Sequence, residues 1–300
     1  MKYAHLRQFV GDTLWAILPS KLDVICAVLG DRARGVDATA EELAAFTGGS
    51  QPAATRAGSI AVLPIRGVIS HRAGTMEESS GGTSTERLAA AYRQLMADPN
   101  VASVVLDVDS PGGAVAGIHE LATEMLALRG TKPVTAVANG TMASAAYWLS
   151  AAAADTIVAI PSAVVGSIGV ASVYLDDSQA REKAGIAVEA FTSAENKIDA
   201  LGLGPLSEDA KARIQARVDE AGGWFRADVA KGRAVTVAQV RADFGEGAVF
   251  GAKDAKAAGL IDRIETMDQT LARLAGRKAP AGLRAEESQD DTAMRRMRVR

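Results

Sequence analysis

The sequence predicts an α/β domain. Apolar runs rich in β-branched residues at 60–70, 101–109, 134–138 and 156–160 alternate with helical segments. The run 101–109 is almost continuously apolar, as expected of a parallel strand covered on both faces. The connections are short, which suits right-handed crossovers between neighbouring parallel strands.

Residues 1–50 read as a somewhat separate helical extension. Leu6, Phe9, Val10, Leu14, Ile17 and Leu18 recur at helical spacing until Pro19-Ser20 interrupts them. Residues 22–29 suggest a second helix, and Glu41-Glu42 opens a short third. Residues 47–58 have linker composition. Residues 60–70 then form a bent strand or a strand pair around Pro64 and Gly67. The Gly/Ser/Thr-rich stretch 73–84 reads as a loop. Thr83-x-x-Glu86 has the pattern of a capping box, which starts a helix burying Leu88, Tyr92 and Leu95.

After strand 101–109, Gly112-Gly113 leads into a helix with Val115, Ile118, Ala122 and Met125 on one face. Strand 134–138, helix 143–153, strand 156–160, a Gly-Ser-Ile-Gly turn at 166–169, helix 176–184 and strand 186–192 follow. Ser207 opens a long helix whose stripe is Ile214, Val218, Ala221, Phe225 and Val229. Helices at 236–244 and 252–258 and a strand at 260–264 complete the domain, placed at 59–266. Residues 277–300 form a charged tail, acidic and then arginine-rich, with the composition of a disordered segment.

The totals exclude several function classes. The 300 residues are 48% hydrophobic and 23% charged, a soluble globular balance. A net charge of −3 gives no reason to expect a specific nucleic-acid partner. A single cysteine, Cys26, excludes an internal disulfide and a cysteine-cluster metal site. No metal or cofactor is expected. The first twenty residues lack a basic start followed by an unbroken apolar core, and the apolar runs break too early to span a bilayer. The expectation is a soluble, cytoplasmic protein without membrane insertion.

The chemistry centres on Asn139-Gly-Thr-Met-Ala-Ser-Ala-Ala146, which follows an apolar strand and opens an alanine-rich helix. A serine at such a corner has its hydroxyl at a helix N-terminus, where unpaired N–H groups and the positive dipole end steady an oxyanion. Ser144 is the candidate nucleophile. It needs a base. The three histidines, His5, His71 and His119, all precede it, and His119 reads as either a base or a helix-lining residue. Lysine serves as a base when burial or a neighbouring cation lowers its pKa. By spacing alone Lys197 is one lysine among many. Gly112-Gly113 lets backbone approach a substrate without a Cβ, or is a plain turn. Asp107 and Asp109 read as structural residues at a strand end.

Five motifs occur in order: Asp-Ser-Pro-Gly-Gly (109–113), Ala-Ser-Ala-Ala-Tyr-Trp (143–148), Ala-Ala-Asp-Thr-Ile-Val-Ala (153–159), Gly-Ser-Ile-Gly-Val (166–170) and Lys-Ile-Asp (197–199). Together they resemble the signal peptide peptidase A family of serine proteases, over roughly residues 60–265. The resemblance implies the Clp protease/crotonase-like fold of repeated ββα units. It implies a dyad of Ser144 and Lys197, without metal or cofactor. It also places the Gly113 N–H in the oxyanion hole, with the Ala145 N–H as the natural second donor. Gly112 and Ser167 support the site, Ser167 by orienting the base or as a simple turn serine. Many members have glycine after the serine, where this chain has Ala145 and Ala146, which implies a narrower pocket. No histidine follows Ser144, which separates the chain from the Clp branch.

Within that family the chain looks most like the head-maturation proteases of tailed phages and prophages. The segment Leu14-Trp15-Ala16-Ile17-Leu18-Pro19 and the stretch from Arg233 through Asp262 carry that likeness. It implies cleavage of scaffold and capsid proteins inside the procapsid by a homo-oligomer whose sites are completed or enclosed by neighbours. The alternatives are a cellular signal-peptide-peptidase-like protease and a non-catalytic scaffold or assembly protein.

Overall fold

A computed structural model describes residues 13–33, 54–72, 82–176, 178–199 and 203–276. The third N-terminal helix expected near Glu41-Glu42 and the charged tail lie outside the described residues. Among the described residues a mixed, mostly parallel ten-stranded sheet forms the centre, and helices cover it.

Its middle is built from β3 (Ile60–Ser70), β5 (Ser103–Ala114), β6 (Val134–Ala143) and β7 (Thr156–Ala159), all parallel. The strand β10 (Arg263–Ile264) extends it beside β7, and β2 (Thr55–Ala57) closes the other edge antiparallel to β3. The short β4 (Thr83–Ser84) pairs with the end of β3. Successive residues face opposite sides. Val104, Leu106, Val108, Ala136 and Ala138 enter the main core, while Val105, Val137 and Val158 meet Leu274 on the other face. Leu274 belongs to a helix, Met267–Ala275, that the sequence reading omitted. Thr266 and Gln269 cap its start reciprocally, a signal present in the sequence.

The long strands outrun the sequence expectation. Residues 60–70 form one strand rather than a pair, bent where the register shifts between Arg66 and Val68 and Gly67 takes a φ of 61°. β5 continues through Ser110-Pro111-Gly112-Gly113, and β6 through Asn139 to Ala143. Beyond the register shift at Val108/Ser110, β6 changes neighbour. Its second half pairs with β8 (Val164–Gly166), which pairs antiparallel with β9 (Val249–Gly251). This splayed end carries the candidate site.

The helices follow their signals closely. α1 is Pro19–Ala33, α2 is Thr85–Ala97, α3 is Ile118–Ala127 and α4 is Ala145–Ala153. The cap of α2 is Ser84, whose side chain accepts from the Arg87 N–H, rather than Thr83. The Thr83 hydroxyl instead donates to the Arg66 carbonyl at 2.8 Å and accepts from the Arg66 N–H. α4 is buried along all nine residues. Its alanines let it sit close against β5, α3 and α6 (Glu208–Arg233). A β-carbon on Gly232 of α6 would lie 2.0 Å from the Ala151 carbonyl oxygen, so the two backbones touch there. Ser207 caps α6 as expected by accepting from the Ala210 N–H.

Two expectations fail. Residues 15–17 form a strand, β1 (Trp15–Ile17), instead of continuing a helix, because they pair antiparallel with Ala114, Gly113 and Gly112. Residues 186–192 form no strand. Ile186, Val188 and Phe191 are exposed, with Phe191 at 91%, and this segment finds no sheet edge among the described residues. Propensity alone does not make a strand without a partner.

Candidate active site

Ser144 stands between the last residue of β6 and the first of α4, with φ 54° and ψ −120°. Positive φ is rare outside glycine and is held here by the surroundings. The Ser144 N–H donates to the Gly166 carbonyl at 2.8 Å, and its carbonyl accepts from Trp148 at 2.9 Å. The side chain caps nothing on α4. Among the described residues its hydroxyl has only a long 3.5 Å contact with the Gly169 carbonyl. A buried hydroxyl left so lightly engaged at a helix N-terminus is suited to reaction more than to capping.

The Gly-Gly turn lies against this corner. A β-carbon on Gly112 (φ 96°) would fall 3.0 Å from the Ala145 nitrogen and from the Ala143 carbonyl oxygen. One on Gly113 would fall 1.8 Å from the Ile69 carbonyl oxygen. Only glycine fits at either position. Ser110, which sequence reasoning passed over, fixes the turn. Its hydroxyl donates to the Gly67 carbonyl at 2.6 Å and accepts from the Gly112 N–H at 3.2 Å. The serine within Asp-Ser-Pro-Gly-Gly was the signal for it.

Ser167 lies beside Ser144, since β6 and β8 pair in parallel up to Ala143 and Gly166. It also has positive φ, 56°, and its N–H donates to the Ala248 carbonyl at 2.7 Å. Asp107 and Asp109 are structural, as the sequence suggested. Asp107 accepts from Asn139 at 3.0 Å and pairs with Arg66, and Asp109 accepts from the Thr141 N–H at 2.9 Å.

His119 is not aimed at Ser144. Its Nδ1 lies 2.7 Å from Asp228, a carboxylate only 1% exposed, and its ring stacks on Trp224 at 5.1 Å. Asp228 also accepts from the Trp148 Nε1 at 2.9 Å, so the cluster fastens α3, α4 and α6 together. His71 is engaged with Thr85, and His5 lies outside the described residues.

Lys197 is on the surface of the chain. It lies in a 3₁₀ turn, Glu195–Ile198, its side chain is exposed, and no hydrogen bond or ion pair joins it to Ser144 among the described residues. The structure therefore brings together Ser144, Ala145, Gly112, Gly113 and Ser167. No group of three or more metal-ligating side chains occurs among the described residues, and no helix there is long and apolar enough to cross a membrane.

The sequence profile of peptidase family S49 matches residues 127–279, just over half of the chain and including both Ser144 and Lys197. The chain belongs to peptidase family S49. Its similarity to known proteins extends over a longer stretch than the profile match. It is 34% identical over 232 residues to the head-tail preconnector protein GP5 of Enterobacteria phage P21, covering 77% of this chain and 46% of that protein. It is 32% identical over 244 residues to the capsid assembly protease C of Escherichia phage lambda, covering 78% and 54%. Against the chloroplastic serine protease SPPA of Arabidopsis thaliana it is 28% identical over 215 residues, covering 71% and 31%. The chain thus spans about half the length of its phage relatives.

Proposed function

We propose that this chain is a serine endopeptidase acting through a Ser144–Lys197 dyad, and that it cleaves scaffold and capsid proteins during phage head maturation. The observation that carries the reading is the geometry of Ser144, which sits strained and uncapped at the buried start of α4 with the Gly112-Gly113 backbone pressed against Ala145. Membership of family S49 supports a peptidase, and the names of the phage relatives support the setting.

In this reading Ser144 Oγ attacks the peptide carbonyl carbon and passes its proton to Lys197 Nζ. The N–H groups of Gly113 and Ala145 donate hydrogen bonds to the oxyanion. Lys197 returns the proton to the departing amine. Water then attacks the acyl-enzyme ester, and Ser144 is regenerated as the carboxylic acid leaves. Lys197 is exposed and bonds to no side chain of the site among the described residues, so in this reading the dyad is completed when copies of the chain assemble. Assembly also supplies the desolvation that a lysine base needs. Ser167 orients the amine from beside Ser144. The reading carries with it the Clp/crotonase-like architecture for residues 59–266, a separate N-terminal extension (1–50), a charged tail (277–300), and a place in the host cytoplasm and procapsid.

The test is co-expression with a candidate capsid or scaffold protein. Processing by the wild type that disappears in Ser144→Ala and Lys197→Ala, and persists in His119→Ala, supports the dyad. Processing that survives Lys197→Ala overturns it. Assembly without any processing favours the scaffold reading.

A further inference from the structure

β1 lies where a peptide substrate would have to lie. Its three residues pair antiparallel with Gly112–Ala114, the strand that leads out of the Gly-Gly turn. The pairing continues on both sides, because the Leu18 N–H donates to the Pro111 carbonyl at 2.9 Å and the Val115 N–H donates to the Leu14 carbonyl at 2.9 Å. On its other edge, Trp15 exchanges two 2.8 Å hydrogen bonds with Ala171, which follows the Gly-Ser-Ile-Gly-Val motif. Residues 14–18 are therefore an extended strand held between the two segments that flank Ser144.

The register places one carbonyl in particular. Hydrogen-bonded pairs alternate along an antiparallel ladder. With Leu18 bonded to Pro111 and Leu14 to Val115, the bonded pair between them is Ala16 and Gly113. The Ala16 carbonyl oxygen lies 2.2 Å from the point where a Gly112 β-carbon would sit, and the Ala145 nitrogen lies 3.0 Å from that same point. The Ala16 carbonyl is thus directed at the Gly113 N–H beside Ala145, the two donors assigned above to the oxyanion. Ala16 is fully buried.

The side chains of the strand divide between two clusters. Trp15 and Ile17 do not enter the main core. They pack with Leu22 in a small satellite cluster that includes Cys26, Val68 and Val173. Ala16 between them faces the main core, and Leu14 packs against it, so main-chain bonds, the satellite cluster and these contacts together hold the strand.

We propose that residues 14–18 are an intramolecular pseudosubstrate, filling the peptide cleft and seating the uncut Ala16 carbonyl in the oxyanion site, so that extended peptides bind only when this strand withdraws. The proposal rests on Ser144 and its neighbours being the active site. It assigns the closed state to competition between the chain's own strand and an extended peptide for the same two strand edges, as in peptide recognition by β-augmentation.

The experiment uses the full chain. Ala16→Pro removes the N–H that bonds to Gly113 and imposes a φ unsuited to the strand. Trp15→Ala is the second variant and removes the satellite anchor. Amide exchange at Val115 and Ala171 reports release of the strand in either. Binding of a fluorescent peptide with the sequence of residues 13–18 is measured in a Ser144→Ala background. Labelling of Ser144 by a fluorophosphonate is measured in the active background.

The expected result is faster exchange at both amides, with peptide affinity and labelling rate each raised by about tenfold or more, since a cleft mostly occupied weakens apparent affinity by the fraction that is free. Unchanged peptide binding in a folded variant whose Val115 and Ala171 amides exchange freely overturns the proposal. So does finding the wild-type chain cut between Ala16 and Ile17, which would make the strand a substrate. A gain in peptide binding with no labelling of any variant supports the pseudosubstrate and places the failure in the assignment of Ser144.

Discussion

Ser144 and Ser167 follow the last paired residues of two adjacent parallel strands, β6 and β8, and both have positive φ, 54° and 56°. Each is a non-glycine residue in a region that favours glycine. Two such residues side by side mark this end of the sheet as a place where local stability yields to geometry.

The strain has a measurable consequence. Ser144→Gly relieves the positive φ and removes no capping bond, since the side chain makes none on α4. It should raise the urea midpoint by an amount equivalent to about 1 kcal/mol while abolishing peptidase activity. Equilibrium unfolding of the two proteins checks this. A loss of stability would show that the hydroxyl holds the corner together.

The Gly-Gly turn should tolerate no side chain. In Gly113→Ala the new methyl meets the Ile69 backbone, where a β-carbon has only 1.8 Å. The expected cost is about 3 kcal/mol or more, with loss of activity. Gly130 has the opposite combination, a positive φ of 82° with open space around it, so Gly130→Ala should cost about 1 kcal/mol and leave activity intact. Thermal melts of the pair separate the steric effect from the conformational one.

The His119 cluster should govern stability and leave the chemistry alone. Asp228→Ala leaves His119 and the Trp148 N–H without their partner in a buried site. A loss of about 3 kcal/mol is expected, and His119→Ala should lose less because the carboxylate keeps Trp148. Both should retain activity at temperatures well below their melting points. Selective loss of activity in His119→Ala at full stability would return histidine to the list of bases.

Acid should weaken the C-terminal part of the domain. Burial pushes the Asp262 carboxyl up, but the hydrogen bond from Arg233, the Ile157 N–H, and the charges of Arg233 and Arg263 outweigh it and hold the carboxyl below its ordinary value. A folded-state pKa lowered in this way adds stability above the unfolded value of about 3.9 and loses it as pH falls through the lower folded one. The melting temperature of Asp262→Asn should therefore lie below wild type at neutral pH, and the gap should narrow as the pH drops below about 4. A gap independent of pH would assign the effect to packing.

The parallel centre of the fold and the Ser144 corner were legible because their signals are local. Stretches 101–109 and 134–138 are mostly apolar, and Ser144 sits beyond the end of such a run before an alanine-rich helix. The strand at residues 15–17 was not legible, since Leu14, Ile17 and Leu18 fit a helical stripe as well as an extended one. Its conformation is decided by Gly112–Ala114, almost a hundred residues away. Residues 186–192 failed in the opposite sense, having β-branched residues but no partner edge. Lys197 carried no physical signal in its neighbours, and only the ordered motifs singled it out.

The contact of Gly232 with the Ala151 carbonyl fixes more than packing. With backbone on backbone there is no side chain to re-pack, so the C-terminal end of α6 cannot slide along α4. The Asp228 bonds to His119 and Trp148 lock the same level of the bundle one turn earlier. The helix that Ser144 opens therefore behaves as an anvil, held against α6 at two successive turns.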